Sequence, residues 1–200
     1  MDYRELTELA KHYRQTFGRI VKCETYSMPD GILAITRMHD DFHDINLAML
    51  FDDSYRVKDV AVEMERIPFP QCETLPRKSL KNIIGLSLNQ KGVMRRVKEL
   101  IPRKEGCTHI YEVLESTFRA VFVGSYGVIG EIYEGALDLD LEEERQYWMS
   151  TPVLRDTCYS FFTETADEEI LSRALEKIEE ASTKAAKIKE VKKGNTNREP

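Results

Sequence analysis

The residues best suited to chemistry are three cysteines and a histidine. Cys107 and His109 lie two positions apart in the stretch EGCTHIYEVL, after a glycine and before an apolar run typical of a helix. With Cys72 and Cys158 they form the pattern C-x34-C-x-H-x48-C. Soft divalent metals and iron–sulfur clusters prefer thiolates, sometimes with an imidazole, and such ligands come from loops and helix starts. The set predicts one metal ion, zinc by default, or a small iron–sulfur cluster.

Cys107 is also a candidate catalytic thiol. A helix start favours a thiolate, because its N–H groups are unpaired and the helix dipole is positive there. His109 is a poor base for Cys107 if both lie in regular helix, because residues two apart do not face each other. His43 and Asp44, at the start of a predicted strand, are candidate proton carriers for this thiol or for a water at an open metal position. A third interpretation makes the cysteines buried and inert.

Charge and hydropathy limit the function classes. The net charge is −6 with acids and bases mixed along the chain, which provides no basic surface for nucleic acid or an anionic membrane. No apolar run reaches the about 18 residues of a membrane span, and the charged start MDYRELTELAKHYRQ lacks the apolar core of a secretory signal. These features predict a cytoplasmic protein. Its four cysteines are then better candidates for ligands, a reactive thiol or core residues than for disulfides.

A β-meander is predicted to precede the chemical residues. After an amphipathic helix that ends at Gly18, four stretches have strand composition, with turns at PDG and DDS between them. The third stretch, DINLAMLFD, alternates apolar and polar residues, which is typical of a half-buried antiparallel strand. We therefore expect three to four antiparallel strands, with this buried face: Ile45, Leu47, Met49 and Phe51. Prolines 68, 70 and 76 end the β region.

Helical patterns follow the prolines. They predict a short helix interrupted at Gly85, a helix over 91–101, and a longer helix after Cys107. The apolar stripe of this longer helix comprises Ile110, Val113, Leu114, Thr117 and Val121. Three glycines spaced by three are interpreted as helix ending and close packing: Gly124, Gly127 and Gly130. The acidic run LDLDLEEE is interpreted as a solvated loop, since it lacks the spacing of a calcium loop.

The predicted organisation is α+β. It comprises an N-terminal helix (1–18), a single α+β domain (19–165), a C-terminal helix (166–191) and a disordered tail (192–200). The apolar residues of the C-terminal helix have the four-and-three spacing of a helical seam. This seam favours docking on the helix's own domain, and a protein partner is the alternative.

Several segments resemble a bacterial family known as domain of unknown function 2889. They are PFPQC, LKNIIGLSLNQKGVMRRVKELI, GCTHIYEVL, PVLRDTCYSF and HDINLAMLFDDSYRVKDVAVEME, within about residues 20–165. The resemblance implies a signature of His43, Asp44, Cys72, Gly85, Gly92, Gly106, Cys107, Thr108, His109 and Cys158. The chain departs from that pattern at PRKEG, where a Gly-Gly pair is frequent, and at Ile110, where leucine is usual. The resemblance implies no named activity.

The layout is also similar to the U-type iron–sulfur scaffold proteins, which assemble clusters on three cysteines plus an Asp or His. Their Gly-Cys pattern and closing His-Cys pair are absent here. The sequence thus predicts a metal-binding accessory or scaffold-like domain with a Cys3His site. A small enzyme that uses an open metal site or the Cys107 thiol, and a structural interaction protein with inert thiols, are the alternatives.

Overall fold

The computed structural model describes the backbone of residues 1–133, 137–151 and 154–196, without the side chains of 73–76, 126–133 and 185–196. The chain divides into two compact units. Unit 1 comprises residues 1–86 and 94–120, and unit 2 comprises residues 87–93 and 121–200. A four-stranded antiparallel sheet and helices confirm the predicted α+β class.

The sheet of unit 1 is a meander whose strands are neighbours in chain order. Its strands are β1 (Arg19–Met28), β2 (Gly31–Asp40), β3 (Asp44–Phe51) and β4 (Val57–Arg66). The alternation predicted for β3 is confirmed, because Ile45, Leu47, Met49 and Phe51 are all buried. Their partners on β2 share this face and are buried too: Ile32, Ala34, Thr36 and Met38. This face forms the core of unit 1.

The turn between β1 and β2 requires glycine at position 31. Gly31 has a φ of 138°, a conformation that L side chains rarely adopt. A Cβ at this position would lie 1.9 Å from the backbone oxygen of Phe51 on β3. Glycine therefore allows the hairpin and its neighbouring strand to approach closely.

The helices that begin in unit 1 or border it are α1 (Tyr3–Ala10), α2 (Gln71–Ser79), α3 (Val93–Leu100) and α4 (Thr108–Tyr133). The first half of α4 packs on the buried face of the sheet. The hydroxyl oxygens of Thr117 on α4 and Thr36 on β2 are 2.7 Å apart, and the ring of Phe118 meets Phe51 edge-to-face. The predicted stripe of α4 is confirmed, since all of its members are buried: Ile110, Val113, Leu114, Thr117 and Val121.

The first helix and α4 end at positions other than those predicted. The first helix ends at Ala10 rather than near Gly18, and the i→i−3 bond from Tyr13 N–H to the Ala10 carbonyl tightens the chain there. None of its residues is buried, so tertiary packing does not extend it. By contrast, α4 continues through Gly124 to Tyr133, so this glycine does not end the helix.

Unit 2 contains α5 (Leu141–Ser150) and α6 (Glu168–Thr196), which contact each other. The prediction of a loop across the acidic run is wrong from Leu141 onward. Asp140 and Glu143 form a capping box that starts α5, and Glu143 is buried beside Lys177. The seam of α6 buries Ala174 and Ala181. This helix extends beyond the predicted residue 191, and residues 197–200 of the predicted tail lie outside the described residues.

Candidate functional site

The candidate site begins at the turn between β2 and β3, which Asp40 organises. The Asp40 N–H donates to the carbonyl of His43 at 2.9 Å and closes the turn. The Asp40 carboxylate accepts from the backbone N–H groups of Phe42 and His43 at 2.8 and 2.7 Å. Its side chain has no solvent exposure. An Asp side chain that satisfies backbone donors two and three residues ahead stabilises a tight turn.

Arg19 holds the Asp40 carboxylate from the neighbouring strand. On β1 it lies opposite Asp40 and donates from Nε and Nη2 to Oδ2 at 2.8 and 2.7 Å. Its Nη1 donates to Glu112 on α4 at 2.5 Å. Burial opposes the charge on Asp40, but hydrogen bonds from Phe42, Arg19 and His43 outweigh it and hold the pKa of Asp40 well below its usual range. Arg19 thus connects the sheet with α4.

His43 is buried, and Asp40 orients it. The Nδ1 atom of His43 lies 3.0 Å from Asp40 Oδ1. Because an ionised carboxylate only accepts hydrogen bonds, this contact assigns a proton to Nδ1. Nε2 is buried and has no hydrogen-bond partner in the part of the chain that the structure describes. The imidazole therefore has one nitrogen fixed by a carboxylate and one without a partner.

The carboxylate that contacts the His43 ring is that of Asp40, whereas Asp44, the other candidate proton carrier, has a different partner. Asp44 pairs with His39 across the strands, and its Oδ2 lies 3.0 Å from His39 Nδ1. His39 is exposed, whereas Asp40, the next residue of β2, is buried. Adjacent strand residues point to opposite faces of a sheet, so Asp44 follows His39 to the outer face.

Cys107 and His109 meet at the start of α4. The Cys107 Sγ lies 3.8 Å from His109 Nδ1, and the His109 ring centroid is 3.8 Å from that of His43. Cys107 precedes the first helical residue, and its carbonyl accepts from the N–H of Tyr111 at 3.1 Å, as an N-cap residue does. His109 is expected to be a poor base only if both residues lie in regular helix, and this condition is not met, because Cys107 precedes the first helical residue.

His109 is suited to accept a proton. Burial lowers the pKa of His109, and the nearby His43 and Arg19 add to this effect, while Asp40 and Glu112 oppose it. A lowered pKa favours the neutral imidazole near pH 7, and a neutral imidazole has one nitrogen free to accept a proton. The pair is thus a thiol beside a potential base.

A pocket of about 480 Å³ within unit 1 is lined by Gly106 and Thr108, the two residues that flank Cys107 in the chain. The ring of Tyr111 covers Gly106, and its hydroxyl donates to the Ile101 carbonyl. A Cβ on residue 106 would lie 2.5 Å from the Tyr111 hydroxyl oxygen, so a side chain at this position would displace the Tyr111 ring. The pocket is lined by Met94, Lys98, Arg103, Gly106, Thr108, Tyr111, Glu112 and Glu115.

The other two predicted ligands are cysteines on different elements. Cys72 is half-buried in the first turn of α2, and Cys158 is exposed in unit 2 just before a short 3-10 helix. Both are free thiols. Among the described residues, no group of three or more His, Cys, Asp or Glu side chains is arranged to hold a metal ion. The structure brings together Cys107 and His109 of the predicted ligands, with His43 beside them.

Sequence reasoning missed two polar residues of the site. The alternation of β2 offers a signal for Asp40, since it places this acid on the same face as Met38 and Thr36. An acid on a core face has a specific partner in most proteins. No local sequence pattern indicates the role of Arg19, because its partner Glu112 lies 93 positions away in the chain.

Comparison with known protein families gives a match for this chain. The family model described as a protein of unknown function (DUF2889) matches residues 17–122, more than half of the chain. The chain belongs to this family. The DUF2889 match includes Arg19, Asp40, His43, Cys107 and His109, whereas Cys158 lies beyond it. No curated protein and no solved structure matches the chain. None of the helices in the described residues is both long and apolar enough for a bilayer.

Proposed function

We propose that this DUF2889 protein is a thiol-dependent enzyme that hydrolyses an ester or thioester, with Cys107 as nucleophile and His109 as its proton acceptor. The proposal rests on one observation, the 3.8 Å contact of Cys107 Sγ with His109 Nδ1 at the start of α4. Catalytic thiols and their bases lie within hydrogen-bonding reach, and such contacts are often long in the absence of substrate.

In the first step the thiol proton passes to His109 while sulfur bonds to the substrate's carbonyl carbon. The first N–H groups of α4 lack acceptors within the helix and stabilise the negative charge that develops on the carbonyl oxygen. The bond to the leaving group then breaks, and this group takes the proton from His109. In the second step water attacks the thioester and transfers a proton to His109. The acid leaves, and the Cys107 sulfur regains its proton.

His43 and Asp40 act as positioning residues in this scheme. Asp40 fixes the ring of His43 through Nδ1, and this ring lies against the imidazole of His109. Packed side chains supported by hydrogen bonds keep a base within the narrow range of geometry that catalysis requires. The buried hydrogen bonds of Asp40 are therefore expected to maintain the orientation of His109.

Acylation by an activated ester tests the proposal. The protein is mixed with p-nitrophenyl acetate, nitrophenolate release is followed, and mass spectrometry locates the acetyl group. We expect an acetyl thioester on the peptide that contains Cys107. Cys107→Ser abolishes this adduct, and His109→Gln slows its formation at least about tenfold, because general bases typically contribute more than that.

The matched controls are Cys158→Ser, which removes an exposed thiol, and His39→Gln, which removes an exposed imidazole. Neither is expected to change acetylation at Cys107. Circular dichroism confirms that each variant is folded. Acetylation of Cys107 at the same rate in folded His109→Gln and in the wild type would contradict the role of His109. Failure of Cys107 to be acetylated would reject the proposal.

A metal centre at Cys72, Cys107, His109 and Cys158 is the second candidate. Its support is the same contact, because zinc bonds of about 2.3 Å to sulfur and 2.0 Å to nitrogen bring tetrahedral ligand atoms to roughly 3.5 Å from each other. The observed sulfur–nitrogen separation of 3.8 Å is close to this value.

Elemental analysis and an absorption spectrum of protein purified without oxygen test the metal candidate. The expected result is about one metal ion per chain, or one small cluster, that is lost in Cys107→Ser and kept in Cys23→Ser. Visible charge-transfer bands would indicate iron–sulfur rather than zinc. Protein without bound metal in both wild type and variants would reject this candidate and leave the acyl-transfer proposal intact.

A further inference from the structure

Two basic side chains at the pocket beside Cys107 have no counterion. Lys98 on α3 and Arg103 in the following loop both line this pocket. Neither side chain forms an ion pair or a hydrogen bond in the part of the chain that the structure describes. Some other exposed cations of unit 1 do have acidic partners, as Lys81 has Asp59 and Arg96 has Glu99.

The acidic side chains of the pocket are already paired. Glu112 accepts from Arg19 at 2.5 Å, and Glu115 pairs with Arg119 at 2.6 Å. Because Arg19 also pairs with the Asp40 carboxylate, the described lining residues and their ion-pair partners together carry one excess positive charge. The start of α4 adds to this field, because helix N-termini favour negative groups. The local balance is positive although the whole chain is acidic.

We infer that this pocket binds the anionic end of a small acyl substrate, with Lys98 and Arg103 holding a carboxylate or phosphate while the carbonyl reaches Cys107. The inference rests on the proposed function and adds the substrate class. Gly106 and Thr108, which flank Cys107 in the chain, line the same pocket. Its volume of about 480 Å³ falls in the range of small-molecule sites. Met94 and the ring of Tyr111 provide apolar contact for a short carbon chain.

Alkylation of the full chain with a charged and a neutral reagent tests this inference. Iodoacetate and iodoacetamide both form a carbon–sulfur bond and release iodide, but only iodoacetate is an anion. Mass spectrometry gives the rate at each cysteine, and the quantity of interest is the iodoacetate-to-iodoacetamide rate ratio. We expect this ratio to be at least about fivefold higher at Cys107 than at the exposed Cys158, since a unit charge contact is worth about 1 kcal/mol even in water.

Lys98→Gln and Arg103→Gln are each expected to lower the ratio at Cys107 roughly fivefold, and the ratio cancels any change in the thiolate fraction that both reagents share. The matched control is Arg95→Gln, which removes the same charge from an exposed residue of α3 outside the pocket. Arg95→Gln is expected to leave the ratio unchanged. Inorganic phosphate and acetate are added in separate competitions, and the anion that slows iodoacetate labelling identifies phosphate or carboxylate as the preferred group.

The two hypotheses fail on different readouts. An equal ratio at Cys107 and Cys158, or a ratio at Cys107 that Lys98→Gln and Arg103→Gln leave unchanged, would overturn the anion pocket. The proposed function fails instead if folded His109→Gln leaves the iodoacetamide rate at Cys107 unchanged. Protection by phosphate or acetate supports the pocket, and protection by neither counts against it.

Discussion

Asp40 shows how one side chain serves both the fold and the candidate site. It closes the turn between β2 and β3, pairs with Arg19 and orients His43. A buried carboxylate with this many donors remains charged, and removing it leaves donors without acceptors. The same side chain should therefore affect stability and the geometry of His109 together.

The substitution Asp40→Asn is expected to lower the free energy of unfolding by about 3 kcal/mol near pH 7, in the range for breaking a buried ion pair. The pKa of Asp40 in the folded protein lies below its unfolded value of about 3.9. Its contribution is therefore complete above about pH 4 and is lost as the pH falls toward the folded pKa. Urea unfolding at pH 5 and pH 3, both below the ordinary pKa of histidine, should show a smaller difference between wild type and variant at pH 3.

Asp41→Asn is the control for this experiment. Asp41 is the next residue in the chain and is exposed. Its substitution by Asn removes the same negative charge as Asp40→Asn does. We expect it to change the free energy of unfolding by less than about 0.5 kcal/mol at either pH. A difference between wild type and Asp40→Asn that stays constant from pH 5 to pH 3 would contradict the role given to the charge on Asp40.

At the scale of elements, strands were easier to predict than helix ends. The alternation of β3 locates its buried face residue by residue, because a period of two is a strong local signal. The start of α5 was missed since a run of acids is typical of a loop. The capping pair Asp140 and Glu143 was visible in the sequence, three positions apart. The end of α1 differs from prediction because the apolar face of this helix is not buried, so no tertiary packing stabilises further helical turns.

The two capping boxes provide a matched test. Asp140→Ala removes the side chain that accepts from the N–H groups of Glu142 and Glu143 and starts α5. We expect it to lower the free energy of unfolding by about 0.5–2 kcal/mol, the usual value of an N-cap. Trp148, the single tryptophan, lies on α5, so its fluorescence in urea follows the unfolding of the region that contains this helix.

Asp2→Ala is the control, because Asp2 forms the same capping box with Glu5 at the start of α1. That helix buries none of its residues, so the loss of its cap should shift the urea midpoint little, by less than about 0.5 kcal/mol in free energy. If Asp2→Ala and Asp140→Ala lowered the free energy of unfolding equally, the burial of Glu143 would not increase the contribution of the α5 cap to stability.

For the whole molecule, the sequence predicted the α+β class, the meander and the family, and all three are confirmed. It also selected Cys107, His109 and His43, which the structure brings together. It did not select Arg19, because periodicity and motifs are local, whereas the contacts of Arg19 are set by strand register and helix docking. The metal set remains a prediction, since Cys72 and Cys158 lie on elements other than α4 and sequence spacing does not place them.

The order of the sheet and its covering helix along the chain has a consequence for synthesis on the ribosome. The last strand of the sheet ends at Arg66, but the helix that covers its apolar face begins only at Thr108. At about 5–20 residues per second, the nascent sheet waits for several seconds before Thr117 and Phe118 become available to cover it. During that interval Phe51 and its neighbours are exposed to chaperones and to other nascent chains. The rate of translation between these two points should therefore influence the yield of soluble protein.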